Sequence, residues 1–192
     1  MNNNDIISFF NKEAQTWDLN AIKQDFIIDT IFDKAGINNK TDVLDVGCGT
    51  GVLIDDYLKR NVHSLTAIDI SFEMIKVAKS KYPNIKFVCE DINNFNQGKY
   101  DVIMFYDCFP HINNKDKALK HANELLKENG KIAIAHSMSL DELHKHHKTV
   151  SHITEFLNAQ QLKELISNYF DNIDVIDNSN MYMIMGEKNK HE

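Results

Sequence analysis

"LDVGCGTGVL", residues 44–53, decides how this chain folds. A short β-branched run, "DVLDVG" (42–47), leads into it, and a helical pattern, "VLIDDYLKR" (52–60), leads out. Between them Gly47, Gly49 and Gly51 are spaced G-x-G-x-G. Such a turn needs residues without Cβ, so that backbone approaches a ligand and the next helix faces it with its N-terminus. A dinucleotide loop would read G-x-G-x-x-G, and Val52 stands where its last glycine would fall. Asp45 lies two residues before the loop inside an apolar strand, where a carboxylate is costly unless it meets something polar or cationic.

Outward from the loop, strands and helices alternate. "LTAIDI" (65–70), "IKFVCED" (85–91), "YDVIMFY" (100–106) and "KIAIAHS" (131–137) read as further strands. "SFEMIKVAKSKY" reads as a helix with Ser71 as N-cap, and "KDKALKHANELLKENG" as one ending on Gly130. The first 36 residues carry apolar positions at helical spacing and stop at Gly36. "NAQQLKELISNYF" is helical, and "NIDVID" and "MYMIMGEK" close the chain as strands with only "NSN" between them. So short a link excludes a parallel pair and predicts an antiparallel hairpin. The fold class predicted is α/β: a Rossmann-like, doubly wound, seven-stranded, mostly parallel sheet with an antiparallel C-terminal hairpin and helices on both faces.

At 192 residues, with 43% hydrophobic and 26% charged content, the chain suits one domain spanning 1–192. No apolar run is long enough to span a bilayer, and the N-terminus lacks the pattern of a secretory signal; a cytoplasmic protein off the membrane is expected. Cys48, Cys89 and Cys108 make an odd count without C-x-x-C spacing, which argues against a disulfide framework and a cysteine zinc site. Cys48 is expected packed at the loop, and Cys89 and Cys108 in the core. The net charge of -7, with scattered lysines, disfavours nucleic acid. A small-molecule substrate and a monomer or homodimer are expected.

In open α/β sheets, ligands bind outside the carboxyl ends of the strands. Asp69, Asp91, Asp107 and His136 all fall at such ends, beside the glycine loop. Asp69 is placed to accept hydrogen bonds from ribose hydroxyls, and Asp91 to reach an adenine amino group. With Asp45, the pattern suits a nucleoside carrying a cationic substituent.

At these residues the chain resembles the class I S-adenosylmethionine-dependent methyltransferases, and most the small ubiquinone/menaquinone-type branch. "VLDVGCGTG" matches the family's first motif, "AIDIS" its ribose-binding segment and "CEDI" its adenine-binding one. "YDVIMFYDCFPHI" fits its fourth strand and following turn, and "FFNKEAQTWD" its N-terminal helix. The resemblance implies that Gly47, Gly49 and Gly51 line the methionine part of S-adenosylmethionine and that Asp45 helps hold its amino group. Asp69 would take the ribose, Asp91 and Ile92 the adenine, and Asp107 would sit beside the sulfonium. Cys48, Ile70 and Met74 are expected among the cofactor's neighbours. Trp17 would close over it, its indole face attracting the sulfonium or a cationic substrate. Pro110 replaces the first histidine of the usual "HH" pair in the turn after the fourth strand.

Five of the nine histidines fall in "AHSMSLDELHKHHKTVSH" (135–152), which is not a general family motif. His136, at the end of the fifth strand, and His111 are candidate bases or substrate-orienting groups. Ser139 is placed to cap a helix on which His144 and His147 share a face, with His146 turned to solvent. His136, His144, His147 and His152 are then candidate ligands for a divalent transition metal, although their spacing matches no standard zinc signature. The plainer reading is a solvated lid helix, residues 137–157, facing an N-terminal helical lid, residues 1–36. His63, His121 and His191 read as surface residues. The function expected is methyl transfer to a small molecule by in-line displacement. The alternatives are metal-assisted positioning of the acceptor, a cofactor-binding protein without turnover, and an NAD-dependent oxidoreductase.

Overall fold

The computed structural model describes residues 3–20, 24–149 and 157–189, with the side chains of Asn20, His144 and residues 146–149 outside that description. Seven strands, β1 (Asp42–Val46), β2 (Ser64–Asp69), β3 (Lys86–Cys89), β4 (Tyr100–Tyr106), β5 (Leu126–His136), β6 (Phe170–Asp177) and β7 (Tyr182–Lys188), form one sheet in the order β3-β2-β1-β4-β5-β7-β6. β1 to β5 pair in parallel, and β7 runs antiparallel to both β5 and β6. The chain reverses direction across the sheet between β1 and β4, and the carboxyl ends of these two strands frame the crevice where such sheets bind ligands.

The helices are α1 (Asn3–Glu13), α2 (Trp17–Asn20), α3 (Asp25–Ala35), α4 (Ile54–Lys59), α5 (Phe72–Lys81), α6 (Lys115–Leu125), α7 (Leu140–Thr149) and α8 (Ala159–Ser167). Strand side chains alternate between two cores. On one face Val43, Met104, Ala133 and Ala135 pack against Ile28, Ile31 and Phe32 of α3. On the other, Leu44, Ile103, Ile132 and Ile134 pack against Leu119 and Ala122 of α6 and Leu162 and Ile166 of α8. Each sealed Val, Leu, Ile, Phe or Met side chain contributes about 1.5–3 kcal/mol of burial free energy. The alternating methionines Met181, just before β7, and Met183 and Met185 within it join the first core, as their spacing predicts.

Capping residues set the helix ends. Gly36 adopts the left-handed conformation (φ 77°) and ends α3: its N–H donates to Asp33 O and that of Ile37 to Phe32 O. Ser71 accepts from Met74 N and starts α5. Ser139 starts α7 as expected, in a reciprocal box: its Oγ accepts from Glu142 N while Glu142 Oε2 accepts from Ser139 N and Oγ.

One element departs from the sequence pattern. The helix expected to run to Gly130 ends at Leu125, and "LKENG" opens β5 instead. Leu126 pairs with Tyr100, the register then shifts, and Asn129 takes a positive φ of 59°. Lys127 Nζ bridges the carboxylates of Asp42 and Asp101 below the sheet. Pairing with β4 and this ion cluster outweigh helix propensity over five residues.

Candidate active site

The glycine loop leaves β1 with Gly47, Gly49 and Gly51 at φ of 70°, 55° and 89°, a region L side chains rarely adopt. The reason for glycine differs along the loop. A Cβ on Gly47 would lie 2.5 Å from Cys108 Cβ, and one on Gly51 3.0 Å from the Tyr82 ring. A Cβ on Gly49 would meet nothing nearer than Trp17 Nε1 at 3.9 Å. Within the loop Gly49 fronts open space, while the absence of a Cβ on Gly47 and Gly51 also lets Cys108 and Tyr82 pack close.

Behind the loop Asp45 is 2% exposed, and its Oδ2 meets no hydrogen-bond partner. Burial, reinforced by the Asp69 carboxylate, pushes it up to about 8. A cationic group arriving there would supply the missing partner. Asp69, at the end of β2, accepts from Gly49 N through Oδ2 and from Ser71 N through Oδ1, both at 2.8 Å. Burial raises it too, while those N–H groups pull the other way. A carboxylate has about four acceptor sites, so hydroxyls still find lone pairs on it. Asp91, just beyond β3, accepts from Asn93 N at 2.9 Å and from Asn3 Nδ2 at 2.7 Å. Ile92 and Met74 are buried nearby and Ile70 is half-buried. These residues fit an adenosyl group bearing an amino-acid tail: an orphaned carboxylate for the ammonium, Asp69 for a diol, and an apolar floor for the base.

The N-terminal helices close over this face. Asn11 Oδ1 of α1 accepts from Ser71 Oγ at 2.8 Å and Glu73 N at 3.2 Å. Asp18 of α2 takes Lys81 Nζ at 2.7 Å and a hydroxyl bond from Thr50 in the glycine loop. Phe10 meets Trp17 edge-on at 5.6 Å and His111 at 5.2 Å, so one lid aromatic joins the loop side to the turn after β4. Asn3, Asn11, Asp18 and Thr50 were not legible as site residues, because each acts through a partner distant in sequence.

At the ends of β4 and β5 a second group forms. Asp107 has a positive φ of 51°, which turns its carboxylate back onto Ser137 N (3.0 Å) and Ser137 Oγ (2.8 Å). Burial works against its charge, yet His136 and these Ser137 bonds hold it below the ordinary carboxylate range. His136 is 3% exposed, and its Nδ1 lies 3.3 Å from Asp107 Oδ1, off the line of a hydrogen bond. Its ring stacks on Tyr182 at 6.3 Å. His136 and His111 therefore face different neighbours, the first under α7 and the second against α1.

The metal alternative finds no support. Among the described residues no group of three or more His, Cys, Asp or Glu is placed to hold an ion, and His136 is turned to Asp107. The His144 and His147 side chains and all of His152 lie outside the described residues, as does His191. Cys48 is buried at the loop as expected, with its thiol pushed up by burial, whereas Cys89 is exposed rather than in the core. Cys108 is half-buried and donates to Val46 O at 2.9 Å. His63 is exposed and pairs with Asp42, but His121 is half-buried and reaches Phe95 O, tying down the loop before β4.

Comparison with known proteins bears on the same residues. A family model described as a methyltransferase domain matches residues 43–130, the segment from β1 to the turn within β5. A malonyl-[acyl-carrier protein] O-methyltransferase from Ilyobacter polytropus is 35% identical over 66% of this chain and 49% of its own length. One from Acetivibrio thermocellus is 30% identical over 86% and 65%. The chain thus spans between about half and two thirds of these relatives. Among solved structures, the N-methyltransferase NodS from Bradyrhizobium japonicum with S-adenosyl-L-homocysteine covers 99% of this chain and 100% of its own (TM-score 0.74, 12% identity). Magnesium protoporphyrin IX methyltransferase from Synechocystis, with the same ligand, covers 98% and 100% (TM-score 0.73, 14% identity). At such identities they show the fold alone, while the family model spans the glycine loop. The chain is thus similar to S-adenosylmethionine-dependent methyltransferases, in sequence from β1 into β5 and in fold over nearly all its length.

Proposed function

We propose that the chain transfers a methyl group from S-adenosylmethionine to an oxygen of a small molecule. The observation that carries this is Asp45: a sealed carboxylate oxygen without a partner, at the crevice between β1 and β4 where the fold takes its ligand. Bound there, the cofactor supplies an electrophilic methyl on a sulfonium. The chain's own residues bind and orient. Asp45 holds the ammonium, with Gly47, Cys48, Gly49 and Gly51 shaping the wall around the tail. Asp69 takes the ribose diol, and Asp91, Ile92, Ile70 and Met74 enclose the base. Trp17 covers the sulfonium end beside Asp107. In-line displacement asks mainly for alignment and exclusion of water; α1 and α2 on one side, and residues 137–157 on the other, act as lids for that purpose.

Oxygen as the acceptor atom follows the relatives, which are named O-methyltransferases: the two above, and a ubiquinone biosynthesis O-methyltransferase from Coxiella burnetii at 31% identity over 47% of this chain. The net charge of -7 disfavours nucleic acid, and the three free cysteines suit a reducing, cytoplasmic setting. No helix among the described residues is long and apolar enough to cross a membrane. Calorimetric titration with S-adenosylhomocysteine, followed by transfer of a labelled methyl group to a panel of hydroxyl and carboxyl acceptors, tests this reading. Micromolar binding with transfer to oxygen is expected; NAD binding in place of S-adenosylhomocysteine would overturn it.

A further inference from the structure

Beneath α7 the structure holds a partly open void of about 20 Å³ that the cofactor residues do not touch. It is walled by Phe109, Leu143, Leu157 and Leu162, with His136 and Tyr182 at its edge. The space suffices for roughly one water molecule. Two sealed polar atoms of these residues lack hydrogen bonds: Tyr182 Oη, and His136 Nδ1, which faces Asp107 Oδ1 at 3.3 Å. Their residues are 1% and 3% exposed and stand directly opposite each other in the β5–β7 ladder. Apolar packing alone does not call for a histidine and a tyrosine there, since buried polar groups in native proteins are almost always paired.

Resting on the function proposed above, we infer that this void is the acceptor subsite, and that it takes a neutral hydroxyl, phenolic or alcoholic, whose proton passes to His136. Asp107 is the positioning group. Its carboxylate, fixed by Ser137 N and Oγ, faces Nδ1 and favours the tautomer with its proton there, leaving Nε2 as the acceptor. Tyr182 Oη is the second polar anchor. The charge of Asp107 decides against an anionic acceptor: a second carboxylate in this apolar pocket would sit against the first. Lys115, the cation in the wall, donates to Pro110 O at 3.2 Å and Ile112 O at 2.9 Å, holding the turn after β4 rather than facing the void. Leu140, Leu143 and Leu157 form the roof, so admitting more than a water-sized group requires α7 to swing outward. In the reaction the hydroxyl oxygen bonds to the methyl carbon as the carbon–sulfur bond breaks, its electron pair staying on sulfur. The hydroxyl proton ends on Nε2, leaving an ether, a neutral thioether and an imidazolium beside Asp107.

The test uses the full chain, 4-ethylphenol as hydroxyl probe and hexanoate as carboxylate probe, each titrated by NMR into wild type, His136→Gln and Tyr182→Phe. S-adenosylhomocysteine affinity is measured on the same three proteins. The expected result is 4-ethylphenol binding that shifts the His136 ring resonances, roughly tenfold weaker in His136→Gln and about threefold weaker in Tyr182→Phe. Hexanoate binds more weakly than 4-ethylphenol, and S-adenosylhomocysteine affinity stays within about twofold in all three. Turnover of 4-ethylphenol falls by about 10²-fold or more in His136→Gln, with loss of the acid limb of the pH–rate profile. Equal affinity for 4-ethylphenol in all three proteins, or tighter binding of hexanoate, overturns the subsite. Absence of S-adenosylhomocysteine binding in wild type overturns the methyltransferase reading instead, and the 4-ethylphenol titrations still decide what the void holds.

Discussion

At the ends of β2 and β3 the carboxylates have backbone partners, whereas beneath α7 a tyrosine hydroxyl lines a void without one. Asp69 is held by the N–H groups of Gly49 and Ser71, and Asp91 by that of Asn93. Tyr182 Oη and His136 Nδ1 are sealed without such bonds. The first region is shaped by such backbone bonds, with Asp45 Oδ2 and Tyr57 Oη sealed behind the loop without one. The second is an apolar pocket in which Tyr182 Oη has no partner while His136 Nδ1 faces Asp107. The contrast suits an enzyme whose cofactor is fixed and whose acceptor is admitted by a moving roof.

The sharpest way to break this comparison is at Gly47. In Gly47→Ala the new methyl would overlap Cys108 at 2.5 Å in a backbone conformation alanine disfavours. A loss of about 2–4 kcal/mol in urea unfolding is expected, together with loss of S-adenosylhomocysteine binding. Gly49→Ala carries a similar backbone strain without the clash, so it should unfold less readily than Gly47→Ala while still weakening the ligand. Equal effects would mean that the loop's space, as opposed to its backbone, matters little.

Asp45 gives the next largest effect. Folded, it keeps its proton up to about pH 8; unfolded, it releases it near 3.8. Between these values the folded state holds the extra proton, so stability falls as pH rises from about 4 to about 8. Asp45→Asn should flatten that slope in urea midpoints taken across the range. Binding of S-adenosylhomocysteine to wild type near pH 7 should also release up to about one proton, seen as a buffer-dependent heat, and none in the variant. No proton release would detach Asp45 from the ligand's ammonium.

A smaller effect belongs to the lid. Trp17→Ala should weaken S-adenosylhomocysteine binding about fivefold to tenfold, roughly 1 kcal/mol, with little change in unfolding, because Trp17 packs on Phe10 and the open side of Gly49 rather than in the core. The smallest change sharpens the acceptor side: Tyr182→Phe removes a sealed hydroxyl without a partner, and should leave the ligand-free protein as stable as wild type or up to about 1 kcal/mol more so. A loss beyond about 1 kcal/mol would show that the hydroxyl is already satisfied.

Much of this molecule follows from local chemistry. "NSN" forces a hairpin because no crossover fits three residues, and Gly36, Ser71 and Ser139 mark helix ends because caps act within one turn. Asp69, Asp91 and Asp107 stood out as candidate site residues because strand ends in such a sheet share one edge, and Asp45 because it is a carboxylate inside an apolar strand. The helix that stops at Leu125 was not, because pairing of Leu126 with Tyr100 and of Lys127 with Asp42 and Asp101 joins residues far apart in the chain.

The amino-acid sequence by itself determined the strand alternation, the glycine turn and the acidic residues at the strand ends, since steric and capping preferences operate over a few residues. Only the tertiary structure decided that Gly47 makes room for Cys108 while Gly49 faces open space. It alone decided that Asn3 and Asn11 reach across to Asp91 and Ser71, and that His136 is sealed opposite Tyr182. These outcomes depend on which strands and helices lie side by side, and packing free energy over the whole core settles that.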